Sequence, residues 1–294
     1  MADEIVRALG WGGQARIFAA VTTELVKEIQ RKHQTSVTAT AAIGRAATAA
    51  AMMGSMLKGP EHLTIKIKGD GPSGAIIVEA NAKGDVRATI DSPEAEVPPR
   101  EEGKLDVAAL VGTEGFLHVT KDLNLKEPYR GSVPLVSGEL GEDFTYYFAV
   151  SEQTPSAVGL GVLVKPTENG PEVEAAGGFI IQLLPGLRDE AIAEIEANLN
   201  QLPPLSQLIH QGITAEELIL KLVPKARIRA KMEPIFKCQC SRERVEKTLI
   251  SLGSTEIQAM IDEDGHAEVV CNFCRTPFQF DRDALEELSK NTIA

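Results

Sequence analysis

Two hydrophobic periods alternate along this 294-residue chain. Residues 14–32 place Ile17, Val21, Leu25 and Ile29 four apart, a spacing that predicts a helix with one apolar stripe. Residues 36–57 predict a second helix, rich in Ala and Met. Its Gly44 and Gly54 would let another element pack closely, and Met52, Met53 and Met56 read as core. From Leu63 the period drops to two. Leu63-Thr64-Ile65-Lys66-Ile67-Lys68 alternates as a half-buried strand does, and Asp70-Gly71-Pro72-Ser73-Gly74 reads as a turn. Strands follow at 75–80 and 86–90, around a turn at Ala82-Lys83-Gly84-Asp85. Further strands are expected at 115–121, 131–137, 144–151, 157–165 and 174–184, with residues 92–104 an exposed loop rich in Pro and Glu. Strands outnumber helices and their connections have hairpin length. Residues 1–185 therefore read as an α+β core domain, a largely antiparallel sheet packed with helices.

Near residue 186 the pattern changes. Ile192, Ile195, Leu199 and Leu202 share one helical face until Pro203-Pro204 stops it, and a short helix at 205–211 ends at Gly212. Thr214, with Glu217 three residues later, is a capping box that opens a helix through Leu222, before Pro224. Short helices depend on what they pack against. Residues 186–232 thus read either as a helical linker of marginal stability or as a plain helical lid. Residues 233–294 form a separate unit of about 60 residues, a size that usually needs a staple such as a metal.

Composition narrows the function. With 43% hydrophobic and 24% charged residues the chain is ordinary for a globular protein. No run of 18 apolar residues suggests a membrane span, because Arg45 and several Thr break the Ala-rich stretch. The start, MADEIVRALGWGG, lacks the basic and apolar regions of a secretory signal, so a cytoplasmic protein is expected. A net charge of −12 disfavours nucleic acid as the main partner. No Gly-Lys-Ser/Thr follows Gly69–Gly74, so that segment is a turn and not a phosphate loop. Gly10-Trp11-Gly12-Gly13 also reads as a turn. No nucleophile signature or distinctive carboxylate pair appears, so an enzyme is not expected.

The chemistry concentrates in four cysteines, Cys238, Cys240, Cys271 and Cys274, which read as C-x-C and C-x-x-C. Two close pairs separated by a small-domain-sized loop suit a closed tetrahedral zinc site of four thiolates, with one Zn2+. Such a site has no position free for substrate. In a reducing cytosol clustered thiols indicate metal or redox chemistry rather than permanent staples. Each pair is also close enough to close on itself as a disulfide. Spacing alone leaves two readings open: a permanent structural zinc in a zinc-ribbon interaction protein, or a zinc whose loss on oxidation unfolds the unit. His266 reads as a solvated turn residue; Arg242, Arg244, Lys247 and Arg275 read mostly as solvated surface.

Phe236-Lys237-Cys238-Gln239-Cys240-Ser241, Glu256-Ile257-Gln258-Ala259-Met260-Ile261 and Glu268-Val269-Val270-Cys271-Asn272-Phe273-Cys274 resemble the zinc domain of the heat-shock protein 33 family of redox-regulated bacterial chaperonins. Gly69–Gly74, Asn81-Ala82-Lys83-Gly84, Ser137-Gly138-Glu139-Leu140 and Gly177-Gly178-Phe179 extend the resemblance over the chain. It implies a holdase that binds unfolded client proteins without ATP under oxidative stress. It further implies inactivity while zinc is bound, disulfides Cys238–Cys240 and Cys271–Cys274 on oxidation, release of zinc, unfolding of the linker, and a homodimer in the oxidised state.

Overall fold

A computed structural model describes residues 2–101 and 103–291. The chain forms two compact units, one ending at Lys237 and the other beginning at Cys238.

The first unit holds two sheets. One has five antiparallel strands: β1 (Glu4–Gly10), β2 (Ala15–Val21), β8 (Ser156–Thr167), β9 (Gly170–Leu183) and β10 (Arg227–Met232), in the order β10-β1-β2-β9-β8. The other has six: β3 (His62–Lys68), β4 (Ala75–Asn81), β5 (Asp85–Ile90), β6 (Phe116–Asp122), β7 (Tyr129–Pro134) and β11 (Ile235–Phe236), in the order β11-β5-β4-β3-β6-β7. All these pairings are antiparallel except β11 with β5. The fold is α+β, as the patterning predicts.

Helix α2 (Val37–Gly54) is the pivot of the core and packs against strands of both sheets. It is buried except at Val37 and Arg45. Its glycines permit the closeness. A Cβ on Gly44 would lie 2.9 Å from Val26 Cγ1, and one on Gly54 would lie 2.9 Å from the Asn81 carbonyl oxygen. Met52 and Met53 are fully enclosed, and Met56 packs at the edge of the same core.

Before β8, two expectations require correction. Residues 14–32 are strand β2 followed by α1 (Thr23–His33), not one helix. Ile17 and Val21 fit a spacing of four, but every fourth residue of a strand also shares a face. Ile17, Ala19 and Val21 enter one core while Phe18 and Ala20 enter the other, so the strand shows no polar alternation. The start of α1 is set from afar: the Asp3 carboxylate accepts the N–H groups of Glu24 (3.0 Å) and Leu25 (2.7 Å). Residues 144–151, expected as a strand, lie mostly in α4 (Gly141–Val150). Their aromatic and β-branched composition favours a strand. The buried Asp143 carboxylate overrides it by accepting N–H groups from Val136 (2.7 Å), Ser137 (3.1 Å) and Leu140 (2.8 Å), which fixes the helix start.

After β9 come α5 (Asp189–Asn200), α6 (Leu205–His210) and α7 (Ala215–Leu222). The Thr214–Glu217 capping box forms, with the Thr214 hydroxyl accepting the Glu217 N–H and the Glu217 carboxylate accepting the Thr214 N–H. The chain then returns as β10, a strand the helical reading of 186–232 missed, and pairs with β1. Strand β11 follows, one residue short of the unit boundary.

The second unit comprises α8 (Arg242–Leu252), α9 (Ser254–Glu263), the hairpin β12 (His266–Val270) and β13 (Pro277–Asp281), and α10 (Arg282–Lys290). Among the described residues its core is six buried side chains: Leu249, Ile257, Ile261, Phe280, Leu285 and Leu288. No helix among the described residues is long and apolar enough to cross a membrane.

Candidate metal centre

Both cysteine pairs sit where the backbone is committed to a turn or a cap. Cys238 and Cys240 lie in the extended segment before α8, and Ser241 ends that segment by accepting the Arg244 N–H on its hydroxyl. Cys271 and Cys274 lie in the turn joining β12 to β13. The Cys271 N–H donates to the Thr276 carbonyl (3.0 Å) and the Arg275 N–H donates to the Cys271 carbonyl (2.8 Å). The turn puts Arg275 in the left-handed region, with φ 59°. This loop bends tightly enough to aim both sulfurs inward.

The four sulfurs lie within 4.8 Å of one another. Cys238 and Cys271 Sγ are 3.7 Å apart, and Cys240 and Cys274 Sγ are 3.2 Å apart. A tetrahedral ion with metal–sulfur bonds of about 2.3 Å separates its sulfurs by about 3.8 Å, so this cluster matches that geometry after small adjustment. None of these four cysteines is in a disulfide; Cys274 is buried and the other three are partly exposed. The residues are positioned to bind a metal ion, and a complete all-sulfur set leaves no position for a substrate.

The electrostatics of the cluster favour a cation. Burial, together with the neighbouring thiols, pushes the Cys240 thiol far up. Burial also raises Cys271. At Cys274 burial acts the same way but is outweighed. The Thr276 hydroxyl, 3.2 Å from its sulfur, the Thr276 backbone and the adjacent thiols pull it down to about 6. One thiolate is thus readily held among the four and further ones repel it. A metal ion supplies the positive charge that lets all four ionise.

The other residues singled out in the sequence serve the scaffold. His266 is exposed at the start of β12, with Nδ1 3.0 Å from the Asp264 carbonyl, and stands outside the sulfur cluster. Arg242 lies over the Phe280 ring, 4.3 Å from its centroid, and donates to the Gln279 carbonyl. Arg244 donates to the Gln239 carbonyl, and Lys247 pairs with Glu243. Gly69–Gly74 is a turn that packs on the end of α3 (Val107–Val111). A Cβ on Gly71 would lie 2.4 Å from the Leu110 carbonyl oxygen, so close backbone approach explains that glycine. Thr276 is the one contributor that sequence reasoning passed over; a hydroxyl two residues after the second pair is its only trace.

Comparison with known proteins agrees with this geometry. The model of the family described as Hsp33 protein matches residues 3–281. A 33 kDa chaperonin of Brevibacillus brevis is 51% identical over 291 residues, covering 99% of this chain and 100% of that protein. One of Bacillus subtilis is also 51% identical, covering 99% of each. The crystal structure of the 33 kDa chaperonin (heat shock protein 33 homolog) of Thermotoga maritima matches with a TM-score of 0.92 at 36% identity, covering 99% of both chains.

Proposed function

Given that this chain belongs to the Hsp33 family, and is therefore a chaperone and not an enzyme, we propose that it is a cytoplasmic holdase switched on by oxidation. Reduced, Cys238, Cys240, Cys271 and Cys274 hold one Zn2+, which supplies folding energy to the small second unit. A peroxide or hypochlorite then oxidises the thiolates. Each pair, Cys238–Cys240 and Cys271–Cys274, loses two electrons as its S–S bond forms. A peroxide accepts those electrons with two protons and leaves as two waters. The four ligands disappear together, and with them the energy that orders the unit.

The observation that carries this reading is the combination of four clustered sulfurs, three of them partly exposed, with a core that among the described residues is six buried side chains. Two close sulfur contacts, Cys238–Cys271 and Cys240–Cys274, run between the pairs. In functional terms residues 1–185 are the frame, 186–232 the linker that loosens, and 233–294 the switch. The freed linker exposes apolar surface for unfolded clients, and oxidised chains pair as homodimers. No nucleotide enters the cycle.

A thermally unfolding client, mixed with the reduced or the oxidised protein and followed by light scattering, tests the proposal, with zinc release read in parallel by a chromogenic chelator. Suppression of aggregation by the oxidised form alone, with one zinc released per chain, is expected. Equal activity of both forms, or zinc retained after all four thiols are oxidised, would instead make the metal a permanent structural element of a zinc-ribbon protein.

A further inference from the structure

The first unit carries a basic cleft that the sulfur chemistry leaves unused. It opens where the turn between β1 and β2 meets the start of β10. Trp11, Gly12, Gly13, Lys225, Arg227 and Arg229 line it around a volume of about 70 Å3, together with Leu9 and no carboxylate. The three cations are exposed. Their concentration runs against a formal net charge of −12 for the chain. Along the same strand Lys231 pairs with Glu216, but no ion pair among the described residues involves Lys225, Arg227 or Arg229.

Strand register explains the convergence. Leu9 pairs with Arg227 on one side and with Arg16 on the other, so Arg227 and Arg16 rise from the same sheet face. The buried Nε of Arg16 has no hydrogen-bond partner. The register of β1 against β10 shifts between Arg7 and Ala8, which leaves Arg229 as the extra residue of a bulge, and bulges re-aim side chains. In the turn, Trp11, Gly12 and Gly13 all have positive φ (46°, 67° and 105°). A bulky residue in that region is a backbone outlier that the surroundings must hold in place. At Gly12 and Gly13 nothing lies within 4 Å of where a Cβ would stand, so the turn backbone is open to a ligand.

The geometry points to an oxyanion site that takes a phosphoryl group of a short, flexible polyphosphate. Guanidinium forks match phosphate oxygens in pairs, and a lysine adds a point charge. The volume admits a small tetrahedral anion and leaves the rest of a chain outside. Its guanidinium groups come from β10, Lys225 lies two residues before that strand, and the floor comes from the β1–β2 turn, so the anion binds fully only while β10 is paired. Mass action then makes it a clamp on that pairing. Strand β10 closes the 186–232 stretch, so the clamp opposes opening of that end; this consequence rests on the redox reading, whereas binding does not.

Isothermal titration of the reduced, zinc-loaded full chain with sodium tripolyphosphate, at ionic strength fixed with sodium chloride, tests the site. Saturable binding is expected. It should weaken at least tenfold in Arg227→Gln/Arg229→Gln and stay unchanged in Lys66→Gln/Lys68→Gln, which removes two exposed cations of β3. Tripolyphosphate should also slow hydrogen exchange of the 227–232 amides in the unsubstituted protein. Equal weakening by both double variants, or no heat beyond the chloride control, overturns the proposal. Circular dichroism checks the fold of the glutamine variant. If it is lost, Arg229→Lys carries the comparison, and affinity within twofold of the unsubstituted protein then refutes the guanidinium contact.

Discussion

On the proposed function, withdrawing zinc while the thiols stay reduced isolates what it would do for the second unit. The structure bounds the magnitude. Six buried apolar side chains form the core of that unit among the described residues, each contributing about 1.5–3 kcal/mol of burial before conformational entropy is subtracted. Domains of this size net no more than about 3–5 kcal/mol from their cores. A structural zinc contributes on the order of 10 kcal/mol. Its loss therefore exceeds what the core supplies by several kcal/mol, and each 1.4 kcal/mol is about a tenfold shift toward the unfolded form. Hydrogen exchange with mass spectrometry reads this directly. After chelation under a phosphine reductant, residues 238–291 should exchange close to intrinsic rates while α2 and the central strands of the first unit stay protected; added zinc should restore the pattern. Zinc-free, reduced protein whose α8 and α10 amides remain protected more than about a hundredfold would show that the small core suffices alone, and the reasoning fails.

Three further outcomes follow from particular contacts. Asp143→Ala strands the Val136, Ser137 and Leu140 N–H groups in a buried site; it should cost the first unit about 3–5 kcal/mol in urea unfolding, and a loss under about 1 kcal/mol would contradict the capping role. Burial pushes the Asp3 carboxyl from 3.8 up to about 6 despite the two N–H groups it accepts. The folded state therefore holds the proton more tightly than the unfolded one. The stability this gives is complete below pH 3.8 and disappears as pH rises through 6, by up to about 3 kcal/mol. Asp3→Asn should flatten that part of a plot of urea midpoint against pH, and parallel profiles would count against it. Thr214→Ala removes a capping box at about 1 kcal/mol. If the linker is the element that loosens, client holding should then appear at a lower dose of oxidant, and an unchanged dose–response would argue against a marginal linker.

The sequence exposed the parts of the fold whose cause is local. Strands β3 to β5 alternate because one face of their sheet is solvated, and the Thr214–Glu217 box is written within four residues. The clustering of the four cysteines was equally legible, because C-x-C and C-x-x-C carry their spacing with them. What stayed hidden has distant causes. Strand β2 is buried on both faces and so shows no period. Helix α1 begins where a carboxylate from residue 3 meets it, and α4 is a helix against its composition because Asp143 gathers amides from the preceding loop. Strand β10 alternates exposed and half-buried residues, but its Lys and Arg content reads as polar linker until β1 is beside it.

The sealed position of Met52 and Met53 has a chemical consequence. Thioethers are the other sulfur that peroxide attacks, and their oxidation is governed by access. Two of them stand at 0% and 1% exposure within α2, whereas Cys238, Cys240 and Cys271 are partly open to solvent. A reagent diffusing in from outside therefore reaches these three thiols before those two thioethers. If the proposed redox cycle holds, oxidation then falls on thiols that a reductant can restore while the two thioethers walled into the core are spared.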